Sequence, residues 1–482
     1  MQLKMEQNKI YKIGILVLVL IVIGTYAYPK TNLFNSKTEI NLEKNNFYFN
    51  DGTPKEKIEM NNKPNVVLIV LDTTRPDHLS AYGYPRQTSP NIDRLAREGT
   101  LFTNAFTVIP YTTSAHISLM TSLYPFVYQP RMPNAEATGV VVANEEQITL
   151  AEILKGQGYN TAGFISVSMM SPASGLNQGF DTYNYSEGVR MGNDTVKVAN
   201  EWLENNYEEP FFLWLHSYDP HDGYVPPKPF DGMHEDSETL YDKVGLGDFT
   251  AMKQALTNYD EDISWGDHDI GVFLTKIQEL EIYDNTIIVF VSDHGEQFGE
   301  HLVPIYQVMG PQVVFEHARA LYDQEIRIPM IIKGPGIPKN RKIDALAENV
   351  DIMPTILDLL GIPLNEDAQG VSLVPAIRYN QEVKEFTFSH LYPIISSYYK
   401  SSIRTKDFKL IYDHYNKETQ LFNLNNDPEE QINLVEHRTT LTKEYETKMI
   451  DLIKKYSLDI DLNIPRIELT EAKELEDLGY LV

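Results

Sequence analysis

Two stretches of the sequence place acidic and imidazole groups just past an apolar run. Ile287 to Val291 and then Ser292 lead into Asp293, His294 and Glu296, and Val66 to Leu71 leads into Asp72. In open α/β sheets ligands bind outside the carboxyl ends of the strands, so chemistry is expected at these positions. Oxygen and imidazole ligands gathered there form a compact cation site. Taken singly, Asp72 reads as a strand-terminating turn residue and His294 as a helix or turn cap. Taken together, the two runs point to one shared metal. A third segment, Thr112-Thr113-Ser114-Ala115-His116, precedes the pattern ISLMTSL, which predicts a helix from Ile117. Its hydroxyls would lie near a helix N-terminus, where free backbone N–H groups favour anions. The plainer reading is that Thr112 and Thr113 cap that helix.

The elements that must position these groups alternate along the chain. Strands are expected at Val66 to Leu71, Phe102 to Val108, Thr161 to Val167, Phe211 to Leu215, Ile287 to Val291 and Arg327 to Lys333. Helices are expected at Pro90 to Gly99, Leu150 to Gly158, Val196 to Asn206, Tyr259 to Glu281 and Asp351 to Leu360, the last closed by Gly361. This alternation predicts an α/β fold: a mostly parallel sheet flanked by helices on both faces. After about residue 384 the pattern changes. Phe386 to Ser389, Ser401 to Arg404, Phe408 to Asp413 and Gln420 to Asn423 read as short antiparallel strands. A helix from about Leu434 to Tyr456 follows them, which makes a small C-terminal α+β subdomain. Met233 to Phe249 is acidic and glycine-interrupted and reads as a surface insertion.

Length and composition bound the class. The 482 residues suit one large domain and a smaller one. Against 41 basic residues stand 68 acidic ones, a net charge of −27 that argues against a nucleic-acid partner. An anionic substrate stays compatible, because a metal and local His or Arg residues reverse the field inside a cleft. The absence of cysteine excludes disulfides, thiolate metal sites and cysteine nucleophiles. Residues 13–29 carry no charge and follow Lys4, Lys9 and Lys12. At ~1.5 Å per residue this helix falls slightly short of a ~30 Å hydrocarbon core. The lysines orient residues 1–12 to the cytoplasm and the bulk of the chain outside, as a single-pass membrane protein with an extracytoplasmic catalytic domain. A signal peptide cut after Ala27, giving a secreted protein, is the competing reading. Residues 30–63 read as an exposed tether.

Seven collinear segments are similar to the sulfatase family within the alkaline-phosphatase superfamily. They include NVVLIVLDTTRPDHLSAYGY, YTTSAHISLMTSLYP, FFLWLHSYDPHDGY, VSDHGEQFGEH and HARALYDQEIRIPMIIKGPG. VDIMPTILDLLGI and KLIYDHYNKETQLFNLNNDPEEQINL complete the set. The resemblance implies a sulfatase-like catalytic domain over residues 64–383 and a small sheet subdomain over 384–482. It implies one divalent metal held by Asp72, Asp293 and His294. It places Thr112 at the nucleophile position, also against the metal, and His116 where relatives carry an arginine. His221 matches a histidine facing the leaving group, and His317 falls at a substrate-binding position. His301 is a candidate for a second metal, without evident further ligands, and Arg75 and Asp77 are expected to pair locally.

Two departures matter. Relatives commonly have a second Asp after the first, and here Thr73 stands there. The imidazole of His294 suits manganese or zinc better than calcium, which remains an option. Typical sulfatases oxidise a Cys or Ser to formylglycine, and a threonine cannot become one. A threonine hydroxyl coordinated to the metal can attack directly, because coordination lowers its pKa. The family favours sulfate and the missing formylglycine favours phosphate, so the expectation is cleavage of a sulfate or phosphate-type ester by Thr112. His317 and His116 would hold the substrate oxygens, His116 also orienting the nucleophile, and His221 would protonate the leaving group. The substrate would be a small or envelope-derived anionic ester. The alternatives are a phospho-group transferase or phosphodiesterase acting on cell-envelope material, and a catalytically inactive sulfatase-like binding protein. The sequence leaves the oligomeric state open.

Overall fold

β1 (Asn65–Leu71) is buried along its whole length, and alternate residues feed different cores. Val66, Leu68 and Val70 pack with Phe212, Trp214, Ile287 and Val289, whereas Val67, Ile69 and Leu71 pack with Phe211, Leu213, Ile288 and Phe290. A strand covered on both faces needs no polar alternation, which is why it reads as a continuous apolar run. The structure, a computed structural model, describes residues 63–128, 141–221, 223–234, 250–304, 311–392 and 399–456. All of these lie in one compact unit, Glu56–Val482. Segments 1–12 and 13–29, nearly all of the 30–63 tether and most of the acidic insertion lie outside the described residues. Among the described residues no helix is long and apolar enough to cross a membrane.

The remaining strands of the large sheet are β2 (Thr100–Phe106), β3 (Asn160–Phe164), β4 (Thr182–Asn184), β5 (Phe211–Ser217) and β6 (Thr286–Val291). After them come a separate hairpin, β7 (Gln297–Pro304) and β8 (Pro311–Glu316), then β9 (Arg327–Lys333) and β10 (Arg341–Glu348). The eight-stranded order is β10-β2-β9-β6-β1-β5-β3-β4. It is parallel throughout except at β9, which runs antiparallel to both neighbours, β2 and β6. The mostly parallel sheet flanked by helices is therefore observed, with one reversed strand. β10 escapes a reading by pattern because RKIDALAE is charged at half its positions and holds one β-branched residue.

Helices cover both faces. On one side lie α1 (Pro90–Glu98), α3 (Gly192–Asn206) and α4 (Thr250–Glu279), contributing Leu95, Leu203 and Phe273 to the core. On the other lie α2 (Thr112–Thr121) and α5 (Ile352–Leu360), contributing Ile117 and Ile356. α4 carries more than apolar residues inward. Asp262 and Asp269 are buried, and each leaves one carboxylate oxygen without a hydrogen-bond partner. Burial, and then the nearby Asp219 carboxylate, push them up to about 8 and about 7.

The smaller sheet is antiparallel, ordered β11 (Thr387–Leu391), β12 (Lys400–Arg404), β13 (Phe408–Asp413), β14 (Glu418–Asn423), and it shares a core with α6 (Thr439–Tyr456). α6 starts later than the expected Leu434. A buried charge cluster joins this sheet to the large domain. Lys409 lies 2.9 Å from Asp323 and 2.7 Å from Glu430, and Arg404 lies 3.1 Å from Asp323. The His390 N–H donates to the Val108 carbonyl at 2.8 Å, so the edge of the small sheet also braces the segment that enters α2.

Candidate active site

Register places the acidic groups before any loop is considered. β1 lies between β5 and β6, with Val70 opposite His216 on one side and Val291 on the other. Parallel neighbours sit about 4.8 Å apart, so Asp72 and Asp293 leave the sheet side by side. The Asp72 backbone N–H still pairs with the Ser217 carbonyl at 2.9 Å. Its side chain is fully buried, and neither carboxylate oxygen has a hydrogen-bond partner. His216 Nε2 lies 3.2 Å from Asp72 Oδ2 but is not aligned to donate.

The turn after β6 arranges the other two groups. Ser292 Oγ accepts the Thr74 N–H at 2.8 Å and donates to the His294 carbonyl at 2.7 Å. Asp293 Oδ1 accepts the N–H groups of Thr73 at 3.2 Å and His294 at 2.9 Å, which leaves Oδ2 without a partner. His294 Nδ1–H donates to the Gly295 carbonyl at 2.9 Å, so Nε2 carries the free lone pair. Gly295 must be glycine, because a Cβ would sit 2.0 Å from the Gln324 carbonyl oxygen. Ligand atoms of Asp72, Asp293 and His294 all fall within 4.8 Å of one another, the one such group among the described residues.

The electrostatics are those of a cation cradle. Burial, and then Asp293, push Asp72 well above the usual carboxylate range. Burial pushes Asp293 the same way, but His294, His116 and His216 outweigh it and bring it down to about 2. Two buried carboxylates presenting unpartnered oxygens to each other are costly without a positive charge. The donor set, two carboxylates and one imidazole, fits a divalent cation.

α2 delivers the hydroxyl. It begins at Thr112, not at Ile117 as the pattern suggested, because buried polar residues Thr112, Thr113 and Ser114 form its first turn. Tyr111 occupies the N-cap position and no side chain caps this end, so neither threonine serves as the cap. Thr112 Oγ1 lies 3.2 Å from His294 Nε2. His116, one turn on, donates Nδ1–H to the Thr112 carbonyl at 2.7 Å, and its buried Nε2 has no partner. Its ring packs against Trp214 and His216, and burial holds both histidines down to about 4.

Two further imidazoles close over this floor. The His317 ring lies against His294, with centroids 4.2 Å apart, and meets His221 edge-on at 5.0 Å. His317 Nδ1 is 3.2 Å from Glu296 Oε1; burial alone would lower this histidine, but Glu296 raises it to about 9. His221 stacks on Tyr218 at 4.1 Å. His301 stands apart from the cradle, stacked on Tyr322 at 3.6 Å, and the second-metal expectation finds no ligand group among the described residues. Arg75 pairs with Asp77 at 2.7 Å, as expected, and also with Glu300.

Of the residues singled out from the sequence, Asp72, Thr112, His116, His221, Asp293, His294 and His317 therefore lie in one constellation, and His301 lies outside it. Three others were not given site roles there: Thr73, Glu296 and His216. For Glu296 the signal was present, since it follows Asp293 and His294 on the same strand end. For Thr73 the signal was its position beside Asp72.

A family profile described as "Sulfatase" matches residues 64–362, and one described as "N-sulphoglucosamine sulphohydrolase, C-terminal" matches residues 312–455. An ulvan-active sulfatase of Formosa agariphila is 29% identical over 66% of this chain, a match that spans 65% of that protein. Among solved structures, one in complex with its substrate D-glucosamine-2-N,6-O-disulfate superposes with a TM-score of 0.69 at 21% identity, covering 84% of this chain and all of the other. The phosphonate monoester hydrolase of Agrobacterium radiobacter superposes with a TM-score of 0.67 at 19% identity, covering 82% of this chain and 96% of the other. These two likenesses establish the fold.

Proposed function

The chain belongs to the sulfatase family and is an ester hydrolase, and on that premise we propose that Thr112 is its nucleophile toward a sulfate or phosphate-type ester. The observation that carries this reading is Thr112 Oγ1 at 3.2 Å from His294 Nε2, a nitrogen whose ring partner is already committed to Gly295. Without a cation that nitrogen accepts the threonine hydroxyl; a cation taking its lone pair would release the hydroxyl, which stays beside the cradle with its oxygen lone pairs available for attack. Asp72, Asp293 and His294 would hold one divalent cation, manganese or zinc ahead of calcium because of the imidazole. Such an ion, when bound, supplies Lewis-acid charge beside the hydroxyl and the transferred group.

The chain's own residues account for the rest. Thr112 Oγ attacks sulfur or phosphorus as its proton passes to water in the cleft, and the ester bond opposite breaks. The electron pair stays on the leaving oxygen, which takes a proton from His221. His317, with its Nδ1 engaged by Glu296, presents its Nε2–H to the equatorial oxygens of the transferred group. His116 holds the Thr112 carbonyl and thereby the rotation of the first turn. Water, or an acceptor alcohol, then attacks the same atom and gives a proton back to His221, while the bond to Thr112 Oγ breaks and that oxygen regains a proton from water. No formylglycine enters this route. The named activity of the ulvan-active relative favours a sulfated polysaccharide fragment as substrate. The hydroxyl nucleophile and the histidine in place of arginine favour phosphate, including transfer to or cleavage of envelope material. The uncharged run at residues 13–29 supports an extracytoplasmic site tethered to the cell membrane.

The test is turnover of paired aryl sulfate, aryl phosphate and phosphodiester substrates, with manganese, zinc or calcium restored after chelation. Mass spectrometry of quenched reactions should find sulfate or phosphate on Thr112. Unchanged hydrolysis by Thr112→Ala would eliminate the mechanism, and a wild type inert toward every ester would favour the binding-protein alternative.

A further inference from the structure

Thr73 adopts a left-handed backbone, φ 48°, at a position 0% exposed. A β-branched residue rarely takes that conformation, because its branched Cβ crowds the backbone there. Glycine or asparagine would hold the same turn with less strain, so a gain must accompany the threonine. Its polar atoms show where that gain arises. The N–H donates to Asp293 Oδ1 at 3.2 Å, the carbonyl accepts from Tyr259 Oη at 2.7 Å, and Oγ1 donates to the Pro220 carbonyl at 3.0 Å.

The last bond reaches the segment that carries His221. Pro220 C=O and His221 N–H belong to one planar peptide unit. The N–H of that unit donates to the Tyr218 carbonyl at 3.0 Å, and the Thr73 hydroxyl holds its oxygen. With both polar atoms fixed the plane cannot pivot, and the root of the His221 side chain is set. The near side of the turn is anchored separately. Asp219 accepts the Gly192 N–H at 2.8 Å and the Ser217 hydroxyl at 2.5 Å. Gly192 leaves room for this, since a Cβ there would lie 2.1 Å from Asp219 Oδ2.

We propose that Thr73 is a positioning residue for the proton donor, fastening the His221 peptide to the strand end that carries Asp72 and to Asp293. This rests on the reading of His221 as the group that protonates the leaving oxygen. The hydroxyl matters where that proton matters, on esters whose leaving alcohol is a poor one. Breaking such a bond leaves the electron pair on an oxygen basic enough to need the His221 proton during cleavage. An activated phenol departs as its anion and needs little help.

The experiment compares full-length wild type, Thr73→Ala, Thr73→Val, Thr73→Ser and His221→Ala on aryl esters of graded leaving-group pKa. The esters are sulfates or phosphates, whichever the wild type turns over. Thr73→Val preserves the shape of the site should Thr73→Ala fail to fold. Without the hydroxyl, kcat on the poorest leaving group should fall roughly 10- to 100-fold, and on the most activated by no more than about 3-fold. Thr73→Ser, which keeps the donor, should retain the wild-type slope. A uniform loss across the series in Thr73→Ala and Thr73→Val, with His221→Ala steep, would overturn the positioning role and leave the reading of His221 standing. A flat series in His221→Ala would instead remove the proton-donor reading, and the role of Thr73 would fall with it.

Discussion

Replacing Asp72 with asparagine should stabilise the metal-free protein and abolish its response to metal. The backbone link of this residue, Asp72 N–H to Ser217 carbonyl, does not involve the side chain and survives. What changes is a fully buried carboxyl group with two unpartnered oxygens, next to Asp293. An unsatisfied buried polar group costs about 1–3 kcal/mol, more when charged. Asparagine removes the charge that burial, and then Asp293, disfavour, so metal-free Asp72→Asn should gain about 1–2 kcal/mol. The wild type at a cation concentration 100 times its Kd gains about 2.7 kcal/mol, and the variant, deprived of a charged ligand, gains little. The two melting curves should therefore cross: variant above wild type in chelator, below it in manganese or zinc. Differential scanning fluorimetry reads both arms, the displacements being at most about 2–4 °C per kcal/mol in a domain of this size. Equal metal-induced shifts in both proteins would refute the cradle, as would a metal-free variant several degrees less stable than wild type.

Glu296→Gln should raise KM more than it lowers kcat, because it removes the carboxylate engaged with His317 while leaving Thr112 and His221 in place; steady-state kinetics on one aryl ester reads the split. Stability should fall between about pH 5 and pH 8 on account of Asp262 and Asp269. Their folded pKa values, about 8 and about 7, exceed the unfolded value, so the native state binds more protons in that window, and the stability they confer at low pH is lost as pH rises through the folded pKa. Asp262→Asn should flatten this slope in chemical denaturation at a series of pH values, and an unchanged slope would exclude that carboxyl as its source. Asp323→Asn should destabilise by about 3–5 kcal/mol by leaving Lys409 and Arg404 short of their shared carboxylate, and a denaturation midpoint within error of wild type would contradict the cluster's importance.

Much of this architecture is legible in the chain because buried parallel strands leave a plain trace. The runs before Asp72 and Asp293 are apolar on both faces, and each stops where the chain leaves the sheet. The seven site residues follow from those stops and from the family motifs around them. Other features depend on tertiary partners. The reversal of β9 is invisible, since RIPMIIK is equally apolar in either direction. The first turn of α2 consists of residues that prefer caps to helix interiors, and burial overrides that preference. In the sequence Thr73 shows only as a departure from the second Asp of relatives, and its bonds emerge when Pro220, Tyr259 and Asp293 converge on it from distant parts of the chain. Nothing in the pattern of α4 marks Asp262 and Asp269 as buried, and the structure buries both.

The registration of β5, β1 and β6 carries a consequence for how such a centre diversifies. Asp72 and Asp293 occupy neighbouring stations on a hydrogen-bonded lattice, so their separation is inherited from interstrand spacing and cannot be stretched by lengthening a loop. Ion preference in this scaffold is then adjustable by exchanging one donor for another at a fixed station, as an imidazole at 294 illustrates, and scarcely by enlarging the cavity. Loops over the rim are under no such restriction. Lineages sharing this lattice should accordingly differ freely in the molecules they accept while their inorganic chemistry changes in discrete, single-residue steps.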